Sequence, residues 1–156
     1  MKRLLWLLIS IAISLTLFSG CGDSANITNW EPTTYEVVNN FDGVTMVVKE
    51  ETISSTGLTV EFKNSSDSEG LFGEYFSLEK RINEGWYQVP RTYDEYLVPD
   101  IGYPLTPRGT RELLVDWEWL YGSLDTGEYR IVKDISEVRG PGDSDKYYLA
   151  AEFTVH

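Results

Sequence analysis

The chain has one cysteine and one histidine in 156 residues, and the scarcity of both narrows its chemistry before any pattern is sought. Cys21 has no second thiol to pair with, so no internal disulfide can brace the fold, and a lone thiol on an exported protein needs another reason to be there. The histidine is His156, which removes Ser-His-Asp triads, histidine-cluster metal sites and most general-base schemes together. Basic residues are also few: 13 Lys and Arg stand against 25 Asp and Glu, a net charge of −12. Nucleic acid and anionic lipid headgroups would be repelled. The sequence holds no P-loop, no dinucleotide fingerprint, no internal repeat and no low-complexity tract.

What is present begins with Lys2 and Arg3, followed by an apolar stretch from Leu4 to Phe18 and then Ser19, Gly20 and Cys21. A positive start, an apolar centre and small residues before a cut are the parts of a signal peptide. The stretch is shorter than the roughly 20 residues a spanning helix needs. Leu17-Phe18-Ser19-Gly20-Cys21 resembles the lipobox of bacterial lipoproteins, with Phe18 where leucine is usual. That resemblance implies cleavage before Cys21, a lipid on its sulfur, and an extracytoplasmic protein anchored to the cell membrane. Two or more acyl chains hold a protein stably where one holds it only marginally. Residues 1–20 are therefore expected as the leader and 21–32 as a polar tether, with Trp30 either an interfacial anchor or the first core contact. Loss of Lys2 and Arg3 takes the net charge from −12 to −14.

Residues 33–156 fit one domain with a core of its own. Leu58, Val60 and Phe62 alternate with Thr59, Glu61 and Lys63, as in a half-buried strand. Tyr35 to Asn40 and Val44 to Glu51 flank Phe41-Asp42-Gly43, and Tyr75 to Ile82 and Trp86 to Val89 flank Asn83-Glu84-Gly85, two expected hairpins. Between residues 90 and 108, Pro90, Pro99, Pro104 and Pro107 exclude a central strand, so a long connection between sheets is expected. Thr110 to Asp116, Tyr129 to Lys133 and Tyr147 to Val155 complete about seven or eight strands, enough for an all-β sandwich.

Leu124-Asp125-Thr126-Gly127-Glu128-Tyr129 resembles the tyrosine corner of immunoglobulin-like Greek-key domains, in which the Tyr hydroxyl bonds upstream backbone. On that likeness Leu124, Gly127 and Tyr129 form a structural corner between the strands Thr110 to Asp116 and Tyr129 to Lys133. The segments 75–80, 85–90, 116–122, 127–133 and 151–155 together resemble the bacterial immunoglobulin-like domains of small Gram-positive lipoproteins. The likeness implies an immunoglobulin-like sandwich and carries no activity to named residues, because one fold hosts many functions.

For chemistry, only carboxylate pairs are left, and Asp116 with Glu118 or Asp94 with Glu95 are near in sequence. Strand-end and loop positions favour solvated or turn-capping acids. The oxygen-rich stretches 64–70 and 142–145 lack EF-hand spacing, so no metal or other cofactor is expected; Asn64-Ser65-Ser66 is also a glycosylation triplet. Aromatic residues crowd one third of the chain, and Tyr93, Tyr96 and Tyr103 make a ligand platform if they face solvent together. The combined expectation is a lipid-anchored, non-catalytic binding module whose partner is a cell-surface protein or cell-wall glycan. A cell-wall or carbohydrate hydrolase using an Asp/Glu pair is the alternative.

Overall fold

A computed structural model describes residues 30–93 and 101–156. The leader, Cys21 and most of the tether, together with Asp94, Glu95 and Tyr96, lie outside the described residues. Strict alternation in β2 (Gly57–Asn64) turns Leu58, Val60 and Phe62 inward, all buried. Strand β2 lies between β1 (Val44–Val48) and β7 (Thr110–Asp116), antiparallel to both, in a three-stranded sheet. Met46 pairs opposite Phe62, and Val60 opposite Leu113.

The second sheet is built on β8 (Gly127–Gly140), whose whole length is paired on one side by β9 (Asp143–Val155). Its other side is shared by two short strands set end to end: β4 (Ser77–Ile82) pairs residues 129–132, and β3 (Glu69–Phe72) pairs 136–138. β5 (Gly85–Gln88) lies outside β4, and β6 (Tyr103–Leu105) outside β3. The result is a sandwich of three-stranded and six-stranded antiparallel sheets, nine strands among the described residues where seven or eight were expected. The surplus comes from β3 and β6, two short strands that no expected strand covered, against the loss of the one expected at 35–40. Pro104 sits in β6 because an edge can spare an amide donor.

Several expectations change. The stretch 90–108 does lead from the larger sheet to the smaller, but it is not one uninterrupted connection: it carries β6 at the other edge of the larger sheet, and the change of sheet occurs at 106–109, between β6 and β7. Residues 35–40 form no strand, although Gly43 takes the expected positive φ of 75° in the turn after Phe41. Asn39 itself has φ 57° and bends the chain onto β9. The β4–β5 turn is two residues long, with Asn83 at φ 56° supplying the left-handed conformation and Gly85 already paired with Ile82. Trp119 and Tyr121 occupy α1 (Glu118–Tyr121), a single helical turn. Among the described residues no helix is long and apolar enough to cross a membrane.

Residues 30–40 form a strap over the outer face of the larger sheet. Gln88 N donates to Glu31 O (2.8 Å) and Thr33 N to Trp86 O (2.9 Å), closing the edge of β5, while Trp30 packs partly buried against the core. At the far side Asn39 N donates to Tyr148 O in β9 (2.6 Å). Under the strap Arg130 Nε bonds Glu79 Oε2 at 2.6 Å, its Nη2 donates to Thr33 Oγ1 at 3.1 Å, and its guanidinium lies 4.7 Å from the Trp86 ring centre. Glu79 is fully buried, and its Oε1 has no partner among the described residues.

Between the sheets Trp117, Phe153 and Tyr129 pack in series, with ring centres 5.6 and 5.7 Å apart, and Phe62 stacks on Phe72 at 4.1 Å. Trp117 Nε1 donates to Ser55 O (2.9 Å), and Leu124 N donates to the same carbonyl (2.8 Å). The Tyr129 hydroxyl donates to Asp125 O at 2.9 Å, four residues upstream. A Cβ on Gly127 would stand 2.8 Å from Lys80 Cε, so a side chain there would displace the lysine that lies over the Tyr129 ring.

Two outcomes follow. Tyr129→Phe strands the Asp125 carbonyl and should lower unfolding free energy by about 1 to 3 kcal/mol in denaturant titration. Arg130→Leu leaves Glu79 buried and unpaired, at a cost of about 3 to 5 kcal/mol, whereas Glu79→Leu with Arg130→Leu should recover most of it. Equal losses in the single and double variants would show that the ion pair is not the source.

Candidate functional site

At the end of the sandwich beyond β5, exposed aromatic rings gather on a polar frame. Thr92 is pinned to α1: its amide and hydroxyl donate to Leu120 O (2.8 and 2.9 Å), and the hydroxyl also reaches Trp119 O (3.1 Å). Tyr93, which follows Thr92, is 63% exposed, and Trp119 is 48% exposed. Arg91 reaches the other way, donating from Nη2 to the Tyr75 hydroxyl (3.0 Å) and from Nε to the Tyr121 hydroxyl (3.4 Å), with its guanidinium carbon 5.7 Å from the Tyr75 ring centre. The Tyr75 hydroxyl continues through Ser77 Oγ (3.2 Å) to the Tyr35 hydroxyl (2.9 Å), whose ring meets Tyr148 edge-on at 5.1 Å. Burial pushes the Tyr35 phenol up to about 12, so it is a neutral hydrogen-bonding group at ordinary pH. Among the described residues Arg91 has no carboxylate within ion-pair distance, and its hydrogen bonds go to the two phenols.

The position of Tyr75 depends on a lysine inside the sandwich. Lys133 follows Tyr129 and Ile131 on the inward side of β8 and is 1% exposed. Its Nζ donates to Gly73 O and Tyr75 O, both at 2.8 Å, in the gap between β3 and β4. A buried ammonium must find acceptors, and the broken strand supplies two carbonyls that an unbroken ladder would have used. Burial lowers the Lys133 pKa to about 8. The same gap presents Tyr75 to solvent and brings Glu74 to the Tyr103 hydroxyl, which donates to it. Bonding to Glu74 raises the Tyr103 pKa.

The structure redistributes the expected platform. Tyr93 is exposed, while the two residues before it are bonded, Thr92 to the Trp119 carbonyl and Arg91 to the Tyr75 hydroxyl. Tyr103 belongs to the opposite edge of the sheet, half-buried against Phe72 (5.7 Å) with Arg111 over its other face (4.8 Å). Tyr96 lies outside the described residues. Of the carboxylate pairs, Asp116 Oδ1 accepts the Glu118 amide (2.9 Å) two residues on, an Asx turn leading into α1. Asn64 is buried and committed: Nδ2 donates to Ser68 O (2.7 Å), Thr106 O (3.2 Å) and Leu105 O (3.4 Å), while Oδ1 accepts from Ser66 N (2.9 Å) and Oγ (2.7 Å). No group of acidic, Cys or His residues suited to a metal occurs among the described residues. Sequence reading passed over Lys133 and Tyr75; the signal for the first was a lysine on the parity of Tyr129, Ile131 and Ile135.

Comparison with known proteins gives a match to the family described as bacterial Ig-like domain over residues 40–154. No curated protein matches. A solved ASH/PapD-like domain of human CEP192 (PapD-like domain 7) is 12% identical, covering 80% of this chain and 97% of that one, with a TM-score of 0.32.

Lys133 gives this region a pH signature. Unfolded, the lysine titrates near 10.5; folded, near 8. Below pH 8 both states are charged and the burial penalty is fully present; between pH 8 and 10.5 the unfolded state binds more protons, so stability rises with pH. Relative to Lys133→Met, the wild type should gain about 2 to 3 kcal/mol between pH 7 and 10, at about 1.36 kcal/mol per pKa unit. Denaturant unfolding of both proteins across that range checks it, and a constant difference would refute a charged, buried Lys133.

Proposed function

From a chain that belongs to the bacterial Ig-like domain family, with Tyr75 held by Arg91 and with Tyr93 and Trp119 exposed on the segments that Thr92 ties together, we propose a non-catalytic interaction module held at the membrane by lipid on Cys21. The aromatic patch is the observation that carries the reading. Ring faces stack on sugars or apolar side chains, and Arg91 offers donors to an oxygen-bearing group. A cell-wall glycan or a neighbouring surface protein meets that description. The lipobox-like run 17–21 and the solitary cysteine support the anchor. The hydrolase alternative is weakened by the Asx turn of Asp116, which ties one described carboxylate to backbone.

Anchoring is tested by membrane fractionation and mass spectrometry of wild type against Cys21→Ala; the wild type should be lipidated and membrane-bound, and the variant soluble. Binding is tested with the detergent-solubilised protein on isolated cell-wall glycan and on surface-protein extracts. Tyr93→Ala with Trp119→Ala should weaken capture at least tenfold while the melting temperature stays within a few degrees. Unchanged capture would dismiss the patch.

A further inference from the structure

We propose that the free edge of β9 at Glu152–Thr154 is a second docking surface, which takes an extended, lysine- or arginine-bearing peptide segment as an added strand. The direction of the β9 backbone follows from the strap. Tyr148 accepts at its carbonyl from Asn39 N (2.6 Å), and Tyr148 N and Ala150 N donate to the side chains of Asn40 (3.1 Å) and Asn39 (2.9 Å). Even-numbered residues of β9 therefore turn their backbone groups away from β8. By the same alternation Glu152 and Thr154 point theirs outward, past the end of the strap, and among the described residues nothing pairs with them.

Uncovered edges invite strand addition, and this protein covers others: the strap bonds β5, and β6 is short and carries Pro104. Beside Glu152–Thr154 runs an open groove of about 1000 Å³, bounded across from β9 by Met46–Val48 of β1. Strands β1 and β9 are not paired. The occupant is fixed by charge. Glu50, Glu128 and Glu152 border the groove, and Arg81, the one Arg or Lys among its described lining residues, is 3.8 Å from Glu128 Oε2. On a chain of net charge −12, a second copy would bring like charge to like, whereas a cationic segment finds carboxylates flanking the backbone donors and acceptors it needs.

The experiment uses the full chain in detergent micelles with an extended peptide alternating lysine and valine, and the same peptide with glutamate for lysine. The lysine peptide should bind, and hydrogen exchange at the Glu152 and Thr154 amides should slow at least tenfold. Thr154→Pro removes an outward amide, leaves the β8 ladder and the charge intact, and should weaken binding at least tenfold. Glu152→Lys should weaken the lysine peptide and favour the glutamate peptide; should the proline variant not fold, this variant and the exchange data decide. Undiminished binding to Thr154→Pro, protection elsewhere than 152–154, or equal binding of both peptides would overturn the proposal. Because Tyr93 and Trp119 are untouched, the outcome is independent of the aromatic patch.

Discussion

Strand β8 has to be satisfied along fourteen residues while carrying two cations into positions water does not reach. Arg130 faces outward and Lys133 inward, and each is buried. A charge in such a place is tolerated only with partners, and the partners dictate what surrounds β8. Arg130 requires Glu79 from β4, Thr33 from the strap and the face of Trp86. Lys133 requires two carbonyls, and β3 and β4 part at residues 73–76 to provide them. The strap and the broken strand are thus consequences of one strand's composition.

These two arrangements place the surfaces that face outward. The interruption at 73–76 lifts Tyr75 to where Arg91 can hold it, and the next residue, Thr92, ties that segment to the Trp119 carbonyl. The strap covers β5 and then β9 as far as Ala150, so the point where it leaves β9 defines where the free edge begins. Binding surfaces in this protein lie where the devices that satisfy β8 stop.

Alternation in Leu58–Lys63 and in Tyr147–Val155 was legible because a half-buried strand must repeat every two residues. The bond from Tyr129 to Asp125 joins residues four apart, so a local motif held enough information to point to it. Residues 35–40 were misread because Tyr35, Val37 and Val38 have the composition of a strand, whereas the segment is a strap bonded to β9 through Asn39 and Asn40, with Val37 left 59% exposed. The split of β3 from β4 was invisible for another reason: it answers a demand made by Lys133, about 60 residues away.

By itself the sequence determined the strand periodicity, the local corner, the acidic surface and the absence of histidine and disulfide chemistry, since each is a property of neighbouring residues or of composition. Only the tertiary structure decided that Tyr103 lies at the edge of the sheet opposite Tyr87, that Asn64 is consumed by the loop it anchors, and which stretch of β9 has no partner among the described residues. Those outcomes depend on pairings across 40 to 110 residues of chain, such as Ala150 with Asn39 and Asn64 with Leu105, which no local pattern encodes.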